Sequence, residues 1–249
     1  MAQHDQLALL EKGVKVWNEW RSRYNIVPDL TEAKLSRANL RGFNLKGAKL
    51  MRADLGLADL SNADLSGADL TRCNLIGVTL CGAMLRRASL MGCNLIGAKL
   101  IAANVEQSNL IGAKMTRADL AESNFIGCEL IRVDLVESFM VGANLRMAKL
   151  ERSNLRDCNL ERVDLRGVNA SYTDFSRSTL IDTFLGHTNF TDAALIDVLF
   201  NRARMYKTNF TDADLRRADF ARTRFTECIL DGANLAETKM PVPRNQAIA

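Results

Sequence analysis

From Leu30 to Met240 a large apolar residue returns at every fifth position. Of these 43 positions, 41 are Leu, Phe or Met; Val105 and Ala170 are the exceptions, and no insertion shifts the register. Two residues before each centre stands a small side chain. Among the 42 positions from Ala33 to Thr238, 20 are Ala, five Cys, five Val, five Ser and six Thr, and only Phe43 is large. The residue just before the centre is usually Asn or Asp. The residue two after it is often Gly, and 12 of the 15 glycines lie there.

A period of five suits neither regular element. Five helical residues rotate by about 500°, leaving roughly 140° of drift per repeat. In a straight strand an odd period would send successive centres to opposite faces. All centres face one interior only if the backbone turns once per pentad. Gly and Asn tolerate the dihedrals that such turns need. The chain must coil around an axis filled by leucine, with stacked coils pairing like strands about 4.8 Å apart. One coil cannot bury its own face, so the array is a solenoid.

Before the repeat, Leu7, Leu10, Val14, Trp17, Trp20 and Tyr24 step by three and four, the period of an amphipathic helix. Pro28 ends it. The spacing predicts a capping helix over 1–27, a repeat domain over 28–240 and a tail over 241–249. A solenoid's first coil exposes apolar centres and strand edges, and a helix laid across that end covers them. Phe43 fills space beneath it. A helix that binds a partner is the alternative.

The run ADLSNADLSGADL (Ala58–Leu70) resembles the pentapeptide-repeat family, and the resemblance spans roughly residues 28 to 240. It implies an all-β solenoid, a right-handed, four-sided parallel β-helix with four pentads per coil. The periodicity alone gives a coil without fixing the number of sides. Four sides make about eleven coils and a rod about 50 Å long. The lead-in GVKVWNEWR is similar to that of some bacterial members. Some members also protect DNA gyrase by mimicking duplex DNA with a strongly acidic surface. The net charge of +4 here argues against that role as a DNA mimic binding a type II topoisomerase.

Candidate chemistry is sparse. Cys73, Cys93, Cys128, Cys158 and Cys228 sit at the small inward position, where a thiol behaves as a buried hydrophobe. Cys81 alone points outward. His4 lies near the N-terminus and His187 at an outward turn. No CxxC or multi-histidine spacing is present, so neither a metal nor a cofactor is expected. The sequons at Asn169, Asn189 and Asn209 arise from the repeat itself. An uninterrupted rod offers no cleft to shift a carboxylate pKa, which argues against an enzyme. No apolar run reaches a membrane span and no secretory signal opens the chain, so a cytoplasmic location is expected.

If four pentads make a coil, residues 20 apart share a face. The face through Leu45, Leu65 and Phe225 is the basic one, with Arg86, Arg87, Arg146, Arg166, Arg204 and Arg224 among its cations. Aromatic residues are scarce there, which disfavours nucleic acid as a partner; weak contact with an anionic polymer is a secondary expectation. Outward apolar residues form a belt: Ile76, Ile96, Ile101, Ile111, Ile126, Ile131, Val136 and Val141. A second group is Ile181, Phe184, Leu199 and Tyr206, and Phe184 and Leu199 replace the usual Asn or Asp. Exposed apolar patches mark partner sites. The expectation is a non-catalytic rigid scaffold that binds an unidentified protein through Ile181, Phe184, Leu199 and Tyr206. The Phe-rich C-terminal coils are candidates for pairing in a homodimer, with the tail PVPRNQAIA as the alternative cover.

Overall fold

In the computed structural model, which describes residues 3–241, two helices precede an unbroken coil. Each residue just before a centre bridges in parallel to the residue 20 further on, from Asp29↔Lys49 to Asp219↔Lys239. Every coil therefore consumes four pentads, giving four short straight walls and four corners. Asp29 and Lys239 stand ten and a half coils apart. The ladder is reciprocal. The Leu30 N–H donates to the Lys49 carbonyl at 2.8 Å, and the Lys49 N–H to the Pro28 carbonyl at 2.8 Å. Centres and small positions point inward and are almost wholly buried between Leu40 and Phe220. Each buried Leu contributes about 1.5–3 kcal/mol, and each coil carries four such centres.

The corners obey one rule. Residue two after each centre, at all 42 positions from Glu32 to Glu237, has a positive φ. At most corners the N–H two residues before the next centre returns to the carbonyl of the previous centre, as Ala33 does to Leu30 at 3.0 Å. That is the type II turn, whose third residue must be left-handed. Twelve glycines meet this demand freely, but 30 other residues, Arg most often, accept it. Glycine is thus permitted there, not required. The corner N–H groups also join the ladder, as Arg52 does to the Thr71 carbonyl at 3.0 Å, which holds the strained residues in place.

Asn and Asp serve the turn differently from the sequence-based expectation. Only a few, such as Asn62 and Asp157, take the turn dihedrals. Those just before a centre lie on the walls, in extended backbone, and do not. Their side chains accept the N–H two residues on: Asp59 Oδ1 from Ser61 at 2.9 Å and Asn109 Oδ1 from Ile111 at 3.0 Å. This is the Asx turn. Successive coils add side-chain ladders, as in Asn189 Nδ2 to Asn169 Oδ1 at 3.1 Å.

The N-terminal segment is two helices rather than one, α1 (Gln3–Glu11) and α2 (Val14–Arg23). Gly13 separates them with φ 91°, a value that an L side chain resists. The break corrects the continuous face read from the sequence: Leu10, Trp17 and Trp20 are buried, while Val14 and Tyr24 are exposed. The helices replace the missing coil below. Within the ladder, the Asn44 and Lys46 carbonyls and the Asn44 and Asp29 N–H groups would pair with a preceding turn. Instead Trp17 Nε1 donates to the Asn44 carbonyl at 2.8 Å and Arg21 to the Lys46 carbonyl at 2.7 Å. Asn18 Oδ1 accepts the Asn44 N–H at 2.8 Å, and Gln6 Oε1 the Asp29 N–H at 2.7 Å. Trp17 also packs on Phe43, centroids 6.2 Å apart.

Two predictions follow from these contacts. Trp17→Phe keeps the ring but leaves the Asn44 carbonyl without its donor, a loss of about 1–3 kcal/mol. Hydrogen exchange is expected to speed up in the first coil and stay unchanged around Leu150, because a solenoid frays from its ends. Uniform acceleration along the rod would contradict the cap's local role. For the corners, Gly97 has φ 65° and nothing within 4 Å of an added Cβ, whereas Ala102 has φ 54°. Gly97→Ala should lower, and Ala102→Gly raise, unfolding stability by about 0.5–1 kcal/mol. Urea melts that move in any other sense would show the corners to be unstrained.

Candidate functional site

The inward cysteines are packing groups. Cys73, Cys93, Cys128 and Cys158 are buried and free. Each thiol donates to a centre carbonyl one coil below, Cys73 to Leu50 at 2.8 Å and Cys93 to Leu70 at 2.9 Å. Ser108, Thr188 and Thr208 do the same, so this position tolerates polar side chains with one hydrogen bond to give. Burial pushes the Cys128 thiol up to about 12 and that of Cys158 to about 11. The neighbouring Cys93 thiol, together with burial, pushes Cys73 up as well. Thiols held neutral in this way are poor nucleophiles. Cys81 lies half-exposed at a corner, in the same column as Ile101.

The outer surface is organised by the 20-residue register. Corner residues pair with an adjacent coil: Arg117 with Glu137 above at 2.6 Å, Arg177 with Asp157 below at 2.5 Å, Arg217 with Asp197 below at 2.7 Å. Hydrogen bonds from these arginines hold Asp157 and Asp197 below the usual carboxylate range. Carboxylates tuned in that direction stay ionised, the opposite of what a general acid needs.

The isoleucine belt divides in the structure. Ile76, Ile96 and Val136 share one corner, Ile101 and Val141 a second, Ile111 and Ile131 a third, and Ile126 a fourth. Ile76 and Ile96 lie in adjacent coils, as do Ile111 and Ile131, whereas Val136 and Val141 stand two coils from the nearest member of their columns; most of the eight are half-buried. They form four short strips and no continuous patch.

The basic face also divides. In the lower coils its arginines are engaged. Arg86 pairs with Glu106 at 3.2 Å, Arg87 bonds Gln107 at 3.0 Å, and Arg146 and Arg166 share Asp164 at 4.0 and 2.5 Å. Toward the C-terminus the same wall changes character. Residues 144 and 164 are Asn and Asp, but the next three in that column are Phe184, Arg204 and Arg224. None of these three side chains can accept the N–H two residues on, so three coils in succession forgo the Asx bond. Here the chain forms the continuous strands β1 (Arg204–Tyr206) and β2 (Arg224–Thr226), paired in parallel register.

Phe184 lies between Arg166 and Arg204, whose guanidinium carbons are 5.6 and 5.1 Å from its ring centre. Tyr206 is exposed and meets His187 edge-on at 5.4 Å. Gly186 separates Arg166 from Tyr206 and leaves a shallow hollow of about 330 Å³, lined also by Phe184, Met205 and Arg224. Beside it an open groove of about 700 Å³ carries Arg162, Arg202, Arg204, Arg222 and Arg224 against one carboxylate, Asp182. Asp182 pairs with Arg202 at 2.5 Å. Among the described residues Arg162, Arg204, Arg222 and Arg224 make no ion pair. Ile181 sits half-buried at the adjoining corner. Leu199 lies around that corner on the next wall, so the four apolar candidates are not coplanar.

The corner column Arg162, Arg202 and Arg222 was missing from the basic face as read from sequence. Its 20-residue spacing is the available signal. At the C-terminal end Phe225 and Leu230 are half-buried and Leu235 and Met240 exposed; most of the tail lies outside the described residues.

The thiol environments predict selective labelling. At pH 8 iodoacetamide should modify Cys81 first. Cys73, Cys93, Cys128 and Cys158 should react only once denaturant opens the coils. Peptide mapping that finds any of these four labelled in the folded protein would contradict their packing role.

Comparison with known proteins agrees with the geometry. Pentapeptide repeats (8 copies) match at residues 29–67, 63–100, 88–125, 98–135 and 118–157, and a pentapeptide repeat region matches at 153–235. Among solved structures, HetL, a pentapeptide repeat protein involved in heterocyst differentiation regulation from the cyanobacterium Nostoc sp. strain PCC 7120, is 24% identical. The match covers 84% of this chain and 92% of HetL, with a TM-score of 0.50. A trypsin-treated form of QnrB1, a plasmid-mediated fluoroquinolone resistance protein, is 21% identical over 74% of this chain and 91% of its own, with a TM-score of 0.47. No curated protein sequence matches the chain. Among the described residues no helix is long and apolar enough to cross a membrane. The fold is the right-handed parallel β-helix, and the chain belongs to the pentapeptide-repeat family.

Proposed function

We propose that this protein is a non-catalytic, rigid scaffold for protein–protein interaction, acting in the cytoplasm through the wall of its C-terminal coils. The observation that carries this reading is the column Phe184, Arg204 and Arg224. Along it the chain gives up three turn-stabilising side chains, each worth about 1 kcal/mol. In their place it sets an aromatic ring and unpaired guanidiniums on the surface. A preformed rod also loses little conformational entropy on binding. All six cysteines are free, which fits a reducing compartment. The downward shift of Asp157 and the upward shift of Cys128 suit neither a general acid nor a thiol nucleophile.

The resistance role of QnrB1 stays with that protein, since likeness at this level supports the fold alone. The surplus of guanidiniums at the C-terminal coils is opposite in sign to an acidic imitation of duplex DNA. A supercoiling assay of DNA gyrase with a quinolone is expected to show no protection by this protein.

The test is hydrogen exchange on the protein alone and with a partner co-purified from its native source. Added protection is expected in the peptides that contain Ile181, Phe184, Leu199 and Tyr206. A verified complex with no protection in these coils would overturn the assignment of the surface.

A further inference from the structure

The partner's chemistry can be read from the groove. We infer that the wall formed by Arg162, Arg204, Arg222 and Arg224 with Phe184 binds a short, extended acidic segment of a partner protein, seating one apolar side chain beside Gly186. This inference rests on the scaffold reading and specifies the ligand of that surface.

Charge complementarity points to an anion. Among the described residues five guanidiniums and a single carboxylate line the groove, and that carboxylate, Asp182, is already held by Arg202. Elsewhere on this wall the arginines meet an acid or an amide: Arg86 faces Glu106, Arg87 faces Gln107, and Arg146 and Arg166 share Asp164. Among the described residues the arginines of this wall that have no such partner are Arg162, Arg204, Arg222 and Arg224, toward the C-terminus. A guanidinium fork matches a carboxylate with two parallel hydrogen bonds. Arg204 and Arg224 are paired residues of adjacent strands, about 4.8 Å apart, so neighbouring forks can hold carboxylates of one extended segment.

Size and aromatic geometry separate an acidic peptide from a nucleic acid. The cationic strip spans about three coils, roughly 14 Å, the length of about four extended residues. A polynucleotide backbone would run beyond it onto neutralised surface. Single-stranded nucleic acid also needs free ring faces on which to stack. Phe184 lies between two guanidiniums, and Lys207 sits 5.1 Å from the Tyr206 ring centre. The hollow between Phe184, Met205 and Tyr206 accepts an apolar side chain instead, because Gly186 contributes none of its own.

The probe is a fluorescein-labelled peptide, Glu-Glu-Trp-Glu-Glu, followed by fluorescence anisotropy on the full chain. Saturable binding is expected, weakened about tenfold or more by Arg204→Gln with Arg224→Gln, and by Phe184→Ser. Arg86→Gln, on the neutralised part of the wall, should leave it within about twofold. Replacing the central Trp of the probe by Ser should also weaken binding. All these substitutions are on the outer surface, and an unchanged melting temperature verifies that each variant folds. Absence of saturable binding, an equal loss with Arg86→Gln, or tighter binding of a hexathymidylate would overturn the inference. Failure here is distinguishable from failure of the scaffold reading. A native complex that protects the C-terminal coils although the peptide does not bind would preserve the scaffold and reject the acidic ligand.

Discussion

The parallel backbone ladder with its fixed 20-residue offset is the constraint on which everything else rests. Each wall both gives and receives hydrogen bonds, as Lys49 does with Pro28 below and Leu30 does with Lys49 above. A coil is therefore satisfied only between two others, and the unsatisfied groups of the rod collect at its ends. The helices α1 and α2 answer this chemically. Trp17, Asn18, Arg21 and Gln6 place donors and acceptors where a preceding coil would have placed its backbone. The register also dictates the surface. Any two side chains 20 residues apart become neighbours, so opposite charges at that interval form ladders and like charges form an exposed cationic strip.

The corners set a second condition. A left-handed residue is compulsory at every turn, yet most turns carry a side chain that dislikes it. Glycine would relax the backbone but contribute nothing to the outside. Arg117, Arg177, Arg202 and Arg217 instead use the corner to reach an acid one coil away. Exposed pairs of this kind are screened by solvent and contribute little to stability. They offset part of the strain and hold the long side chains in a defined direction. The corner is where the fold carries long charged side chains, and toward the C-terminus Asp182, between Arg162 and Arg202, pairs with Arg202 and leaves Arg162 and Arg222 without an ion pair among the described residues.

The core was legible in the sequence because it is one-dimensional. With no insertion between Leu30 and Met240, each residue's phase gives its direction, and the inward cysteines follow at once. The number of walls was not legible from phase, since a pentad turns the chain once whatever the closing angle. The break at Gly13 was hidden because the apolar steps on either side of it keep a helical spacing. On the surface, Phe184 stood out as a departure from Asn or Asp. Its surroundings did not, because a list of charges on one face carries no pairing. Arg86 and Arg224 look alike in that list. Glu106 lies one coil above the first, and among the described residues no acid pairs with the second. Leu199, grouped with Phe184 by composition, lies around a corner, and Arg222, left out, lines the same groove.

The place where the outer wall departs from its rule is also where the interior departs from leucine. Phe190 stacks on Phe210, Phe210 on Phe225, and Phe200 on Phe220 with centroids 4.7 Å apart. Met205 and Phe225 are the centres of β1 and β2, behind Arg204 and Arg224. Aromatic rings bury large areas and lock their neighbours by offset and edge contacts, adding about 0.5–1.5 kcal/mol per pair beyond burial. Coils built on such a core can give up three Asx bonds without losing their register. The flat strand pair that results presents Phe184, Arg204 and Arg224 on one plane, where a turn-bonded wall would present Asn or Asp. Packing inside and chemistry outside thus change over the same stretch of chain, and the stability of the first is what allows the second.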